Sequence, residues 1–460
     1  MTPSIAASRT RAHDYDLIVI GSGPAGHRAA IQAAKLDKRV AIVEKKHVIG
    51  GVCINTGTIP SKTLREAAMR LSGYRDRSLY GNSYTTKQRI TMRDLLFRVD
   101  HVINHELDVA RHQLARNDID VLNAQASFVD PHRLRLQLVD GIRQEVTADH
   151  IVIAVGTTTA DEPGVPYDGK SVFTSDDLLR VEHLPRSLAV VGAGVIGLEY
   201  ACIFAALGVR VTLLDRHPHL LPFVDREIVD ALVYHLRENR AAIYLHEEVT
   251  TVECQVNEHG PHVRLVLASG KQVVTEAALF SVGRMGAVDG LDLAAAGLEC
   301  DARGRLQVNE HYQTSASHIY AVGDVIGFPS LASTSMEQGR LAVCHAFNVP
   351  TRSLPELFPY GIYTVPAISM VGKTEQQLTV AGRALRDRAG TLSRNRPRPD
   401  SRRQDRVPEA HLSSRDTVAP RRAHHRRGGG GARAHRPGRD GAWRQGRLLH
   451  RHGLQLPHPG

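Results

Sequence analysis

The chain has 460 residues, 42% of them hydrophobic and 23% charged, with five cysteines and a formal net charge of +10. That length exceeds what one core supports, so two or three domains are expected, and the composition suits a globular chain rather than a disordered or membrane-spanning one. No apolar run reaches the length of a bilayer span, and the polar start followed by the short apolar run Leu17–Ile20 lacks a signal-peptide core. The basic charge is localised: residues 385–460 hold 19 Arg, no Lys and 6 acidic residues, a net of +13, which leaves residues 1–384 at −3. A nucleic-acid or membrane partner is therefore not expected for the body of the chain. Cys53, Cys202, Cys254, Cys300 and Cys344 are scattered and odd in number, as reduced thiols of the cytoplasm would be.

In chain order, a β-branched strand Asp16–Ile20 leads into G-S-G-P-A-G, with Gly21, Gly23 and Gly26 at the turn. A helix through Ala34 and a strand Arg39–Val43 follow, closing on Glu44 and Lys45. The run from Gly50 to Lys62, G-G-V-C-I-N-T-G-T-I-P-S-K, holds Gly51, Cys53 and Thr58. A strand Ile151–Val155 ends at Gly156. The first grammar then recurs: strand Ser187–Val191, turn G-A-G-V-I-G with Gly192, Gly194 and Gly197, helix through Leu207, and strand Arg210–Leu214 closing on Asp215 and Arg216. Further strand-like runs are His262–Leu267, Ala278–Val282 before Gly283, and Ile319–Val322 before Gly323 and Asp324.

Glycines at such turns let the backbone approach a pyrophosphate held on helix N-terminal N–H groups, while the acid accepts from a ribose hydroxyl. One glycine pattern also ends ordinary strands. Two complete copies, each with strand, turn, helix and acid in order, predict two Rossmann-like dinucleotide-binding domains in an α/β fold with parallel sheets.

Over residues 14 to about 384 these motifs, together with Glu199 and Gly283-Arg284, resemble the pyridine nucleotide-disulfide oxidoreductase family. The resemblance implies FAD on the first fold, with Glu44 at the adenosine ribose and Asp324 at the ribityl chain, and NAD(P) on the second. It implies that Lys62 stands beside the reactive flavin nitrogen with Glu199 as its ion-pair partner. Lys45, Gly51, Cys53, Thr58, Gly156 and Gly283 join the implied cofactor-binding set. The implied domains are 1–160 and 286–350 for FAD, 161–285 for NAD(P), and 351–384 as the start of a dimerisation domain.

The family's disulfide reductases carry two cysteines four residues apart in the reactive loop. Here Cys53 holds the first position and Thr58 the second. A dithiol relay needs both sulfurs, since a thiolate is expelled and recaptured as electrons pass. The loop resembles instead the transhydrogenase branch, which moves hydride from NADPH to NAD⁺ through flavin alone and whose intact form is a homodimer. NAD and NADP would then share the second site, with Asp215 suited to a free ribose hydroxyl and Arg216 to a 2′-phosphate. A lipoamide dehydrogenase-like diaphorase and an inactive flavin-binding remnant with a basic tail are the alternatives.

After Gly382 lysines vanish, arginines crowd and apolar periodicity stops. A one-base slip, with permitted codons, turns Leu385–Arg396 into Y-E-I-G-L-A-R-Y-R-E-T and yields N-Y-P-T from Leu448–Gly460. Both strings resemble the transhydrogenase branch. Residues 385–460 are therefore expected to be an out-of-frame, disordered tail in place of most of the dimerisation domain. The tail histidines lack the spacing of a metal site, and none is expected.

Overall fold

A computed structural model describes residues 12–81, 84–257, 260–351 and 359–384, and the backbone of 448–449. The first half contains β1 (Tyr15–Ile20), α1 (Pro24–Ala34), β2 (Val40–Glu44), α2 (Gly51–Asn55), α3 (Thr58–Leu71), α4 (Arg77–Tyr80), α5 (Met92–Ala115), β3 (Asp120–Asp130), β4 (Arg133–Leu138), β5 (Arg143–Ile153) and β6 (Thr157–Thr159). There follow β7 (Val172–Thr174), β8 (Ser187–Val191), α6 (Val195–Ala206), β9 (Arg210–Asp215), α7 (Arg226–Glu238), β10 (Ala242–Leu245), β11 (Val249–Asn257), β12 (Gly260–Leu267), β13 (Gln272–Thr275), β14 (Ala277–Phe280) and β15 (Arg284–Gly286). The remaining elements are β16 (Ile319–Ala321), α8 (Ala332–Ala346), β17 (Tyr360–Ile362), β18 (Ile368–Met370), α9 (Glu375–Val380) and β19 (Leu448–Leu449).

Two parallel sheets organise these elements. In the first, β1 lies between β2 and β5, β3 extends the sheet beyond β2, and β16 pairs with the far side of β5. In the second the order is β10, β9, β8, β14, β7, every pairing parallel. Leu17, Ile18 and Val19, like Leu188, Ala189 and Val190, are wholly buried. Helices on both faces of such a sheet require the continuous apolar runs seen in the sequence.

The sheets are parallel only in part. β3, β4 and β5 continue as an antiparallel meander, and β11, β12 and β13 form a second one, so the predicted strand at His262–Leu267 is a hairpin arm. Only Pro131 and His132 separate β3 from β4, and a link that short cannot make the crossover a parallel pair needs. Of the tail, only β19 lies among the described residues, paired with β18; the expectations for the rest of 385–460 lie outside them. Among the described residues no helix is long and apolar enough to cross a membrane, and no group of three or more His, Cys, Asp or Glu could hold a metal ion.

α1 starts at the N-cap Gly23 with Pro24 at its first position, where a missing N–H costs nothing. Apart from Ile31, its buried residues are small, Ala25, Gly26, Ala29, Ala30 and Ala33, so neighbours approach its backbone closely. Gly339 of α8 uses that space: a Cβ there would stand 2.1 Å from the Ala25 carbonyl oxygen. Gly339→Ala should therefore destabilise the protein by about 1–3 kcal/mol through overpacking, read from the urea unfolding midpoint; an unshifted midpoint would show that α1 and α8 yield freely.

Candidate functional site

Each Rossmann turn is built by the same contacts. Gly21 adopts φ +102°, donates its N–H to the Val43 carbonyl at 2.8 Å, and has no room for a Cβ, which would meet the Ala154 oxygen at 2.4 Å. Gly26 on α1 faces the Gly21 carbonyl at a distance that only hydrogen fits. Glu44, buried at the end of β2, accepts the Ser22 N–H at 3.0 Å, the Ser22 hydroxyl at 2.6 Å and the Lys46 N–H at 3.0 Å. The acid thus locks the turn.

The second turn repeats this with a shorter acid. Gly192 adopts φ +96° with a Cβ position 2.5 Å from the Ser281 oxygen, and Gly197 presses on the Gly192 carbonyl. Asp215 accepts the Ala193 N–H at 2.5 Å and the His217 N–H at 2.7 Å. Neither α1 nor α6 has a side-chain cap or an acidic residue in its first turn, so their first N–H groups stay available to an anion. The space beside Gly194 is open, and Gly23 meets only the Gly51 Cα, at 4.0 Å. Lys45 and Arg216, each just beyond its acid, are exposed.

α6 is apolar around its whole circumference: of its twelve residues only Val195 and Ile196 escape full burial. Glu199 sits inside it at 5% exposure, and a carboxylate there requires partners. It has two. Lys62 Nζ of α3 lies 2.8 Å from Oε2, and the Tyr363 backbone N–H donates to Oε1 at 2.8 Å. Lys62 also approaches the Ser61 hydroxyl at 3.3 Å and keeps 30% of its side chain exposed.

In the reactive loop, Gly50 and Gly51 take positive φ and turn the chain into α2, which carries Cys53. The Thr58 side chain, at the start of α3, hydrogen-bonds the Cys53 thiol. Burial pushes that thiol's pKa up, and the Thr58 hydrogen bond offsets part of the rise. All five cysteines are free thiols.

Gly156 and Gly283, both at positive φ, open the two strands of the ribbon β6–β15. Arg284 of that ribbon bonds Thr157 Oγ1 at 2.8 Å and Asp176 at 3.2 Å. Its charge also reaches Asp324, whose carboxyl is pushed up by burial and drawn partly back by Arg284 and a Ser335 hydrogen bond. Gln338 accepts the Gly323 N–H at 2.8 Å, so α8 aims the Gly-Asp turn.

The structure thus unites Lys62 with Glu199, and Cys53 with Thr58. It places Glu44 and Asp215 under separate turns. Sequence reasoning did not single out Ser22, Gln338 or Tyr363: a serine between glycines and a tyrosine after a short strand carry no spacing signal.

The chain matches the family model described as pyridine nucleotide-disulphide oxidoreductase over residues 15–339. It is 53% identical over 369 residues to a protein of Mycobacterium tuberculosis (strain ATCC 25177 / H37Ra) named soluble pyridine nucleotide transhydrogenase, covering 80% of this chain and 78% of that one. With the protein of the same name from Colwellia psychrerythraea it shares 41% over 372 residues, 81% and 79% of the two chains. Among solved structures, the HOCl-induced flavoprotein disulfide reductase RclA from Escherichia coli superposes at TM-score 0.70 and 30% identity, over 80% of each chain. LpdA from Mycobacterium tuberculosis superposes at TM-score 0.72 and 26% identity, over 79% of this chain and 80% of that one. With two glycine turns of one construction, a Lys62–Glu199 ion pair and this match over most of its length, the chain is a member of the pyridine nucleotide-disulphide oxidoreductase family.

Proposed function

We propose that this chain is a flavoprotein transhydrogenase that passes hydride from NADPH to NAD⁺ through FAD, without a dithiol relay. One observation carries this reading above all: the partner of Cys53 across the reactive loop is the Thr58 hydroxyl. Disulfide exchange needs a second sulfur to recapture electrons, and a hydroxyl cannot serve. The machinery that flavin chemistry itself requires is retained. The names of the relatives from Mycobacterium and Colwellia support the same activity.

The residues present fit both dinucleotides. The uncapped start of α1, with Gly21, Gly23, Gly26 and Gly51 around it, suits the pyrophosphate of FAD, and Glu44 with Lys45 suits its adenosine ribose. Asp324 suits the ribityl hydroxyls, because a carboxyl raised by burial is ready to exchange hydrogen bonds with them. Gly156 and Gly283, whose missing Cβ atoms would meet nothing, leave room where the ribbon passes the cofactor. FAD, when bound, supplies a centre that accepts hydride from one coenzyme and returns it to another.

Lys62 supplies a positive charge where negative charge develops, and Glu199, 2.8 Å from its Nζ, keeps that ammonium aimed. The start of α6, with Gly192, Gly194 and Gly197, suits the coenzyme pyrophosphate. Asp215 suits the NAD ribose, and the exposed Arg216 beside it suits the NADP phosphate. Five unpaired thiols suit the cytoplasm. The working assembly in this reading is a homodimer whose interface domain begins at 351–384 and is cut short by a shifted frame near residue 384. Resequencing the gene there tests that part.

NADPH and thio-NAD⁺ together should give turnover, and reduction by NADPH should produce no long-wavelength thiolate–flavin band. Steady reduction of lipoamide, or that band, would overturn the assignment. Lys62→Met should slow flavin reduction by about a hundredfold while FAD stays bound, as stopped-flow absorbance would read; an unchanged rate removes Lys62 from the reaction. Asp215→Ala should weaken NADH more than NADPH, and Arg216→Ala the reverse, each by about 1–3 kcal/mol in titrations of the two coenzymes; equal losses refute the shared edge.

A further inference from the structure

We infer that Tyr363 is a positioning residue for the Lys62 ammonium, a role that rests on the transhydrogenase reading of the Lys62–Glu199 pair. Lys62 Nζ stands 4.6 Å from the centroid of the Tyr363 ring, within reach of a cation–π contact. The same residue donates its backbone N–H to Glu199 Oε1 at 2.8 Å, while Lys62 takes Oε2. One tyrosine therefore holds both members of the pair, the acid by its backbone and the base by its ring.

The backbone around it is anchored. The next residue, Thr364, is wholly buried, and its hydroxyl donates to the Pro366 carbonyl at 2.6 Å. Arg65, one turn beyond Lys62 on α3, donates Nε at 3.1 Å and Nη2 at 2.9 Å to the Thr364 carbonyl. Two cations of one helix thus grip the same short strap after β17. Its tyrosine is held where it meets the ammonium, although the residue as a whole is 38% exposed.

A carboxylate alone does not fix a lysine. The ammonium is a point charge on a four-carbon stem, and at 30% exposure it can turn toward water while keeping one contact to Glu199. The ring removes that freedom on one side. With Glu199 on Oε2, Ser61 at 3.3 Å and the ring at 4.6 Å, the ammonium is bounded by three neighbours from three parts of the chain.

The test uses the FAD-loaded full chain. Tyr363→Leu should slow flavin reduction by NADPH about tenfold and lower the flavin midpoint potential, and Tyr363→Phe should restore both. Fluorinated phenylalanines at this position, which keep the shape and weaken the ring face, should slow reduction in graded order. In the Lys62→Met background these changes should have no further effect. A thermal double-mutant cycle of Tyr363→Leu and Lys62→Met, read on midpoints without substrate, should be non-additive. Wild-type reduction in Tyr363→Leu, additive midpoints, or an equal loss in the Lys62→Met background overturns the proposal. Unchanged reduction in Lys62→Met alone instead removes Lys62 from the reaction and overturns the functional reading of the Lys62–Glu199 pair, and is told apart because the thermal coupling would persist.

Discussion

A single carboxylate constrains how this protein is put together. α6 is buried along almost its entire length, and Glu199 introduces a charge into that apolar rod. An isolated buried charge costs several kcal/mol, so the fold has to bring donors to it. They come from α3 and from the strap after β17, residues far apart in the chain. Satisfying Glu199 therefore fixes α3 against α6 and leads the chain back to the same point after α8. The ion pair is an architectural joint, and Lys62 is aimed by the same interactions that make Glu199 tolerable.

The two glycine turns solve a second problem in a shared way. In both, a carboxylate at the end of the second strand accepts the N–H that follows the first glycine and the N–H two residues past itself. The acid is consequently rigid before any ligand arrives. The turns differ in what lies around them. Glu44 reaches Ser22, whose hydroxyl also accepts from Gly50, so the first turn is tied to the reactive loop. Asp215 is shorter and less enclosed, with exposed Arg216 and His217 beside it.

Thr58 shows how one substitution redirects a shared scaffold. Positive φ at Gly50 and Gly51 starts α2, and the Thr58 side chain hydrogen-bonds Cys53. What changes is the chemistry of the second atom. A thiol there could be oxidised and reduced. A hydroxyl can only hydrogen-bond, so Cys53 is a half-buried thiol whose pKa burial pushes up.

Much of this was legible in order and spacing. Strand, glycine turn, helix and acid recur as a local grammar, and local grammar survives in sequence because a helix start, a positive φ and a strand end each need particular residues within a few positions. The identity of residue 58 was equally readable, since a missing sulfur is a fact of composition. Other features existed only in three dimensions. The antiparallel meanders were hidden because strands of similar composition differ in direction only through the length of the links between them. Gln338 beneath Gly323, and Tyr363 against Lys62 and Glu199, could not be foreseen. Their partners lie 15, 301 and 164 residues away in sequence, and such contacts are decided by how whole helices pack. The sequence by itself determined the two glycine-turn units and the lack of a second sulfur at position 58; only the tertiary structure decided which groups surround the lysine and its acid, because burying a charge is settled by distant neighbours.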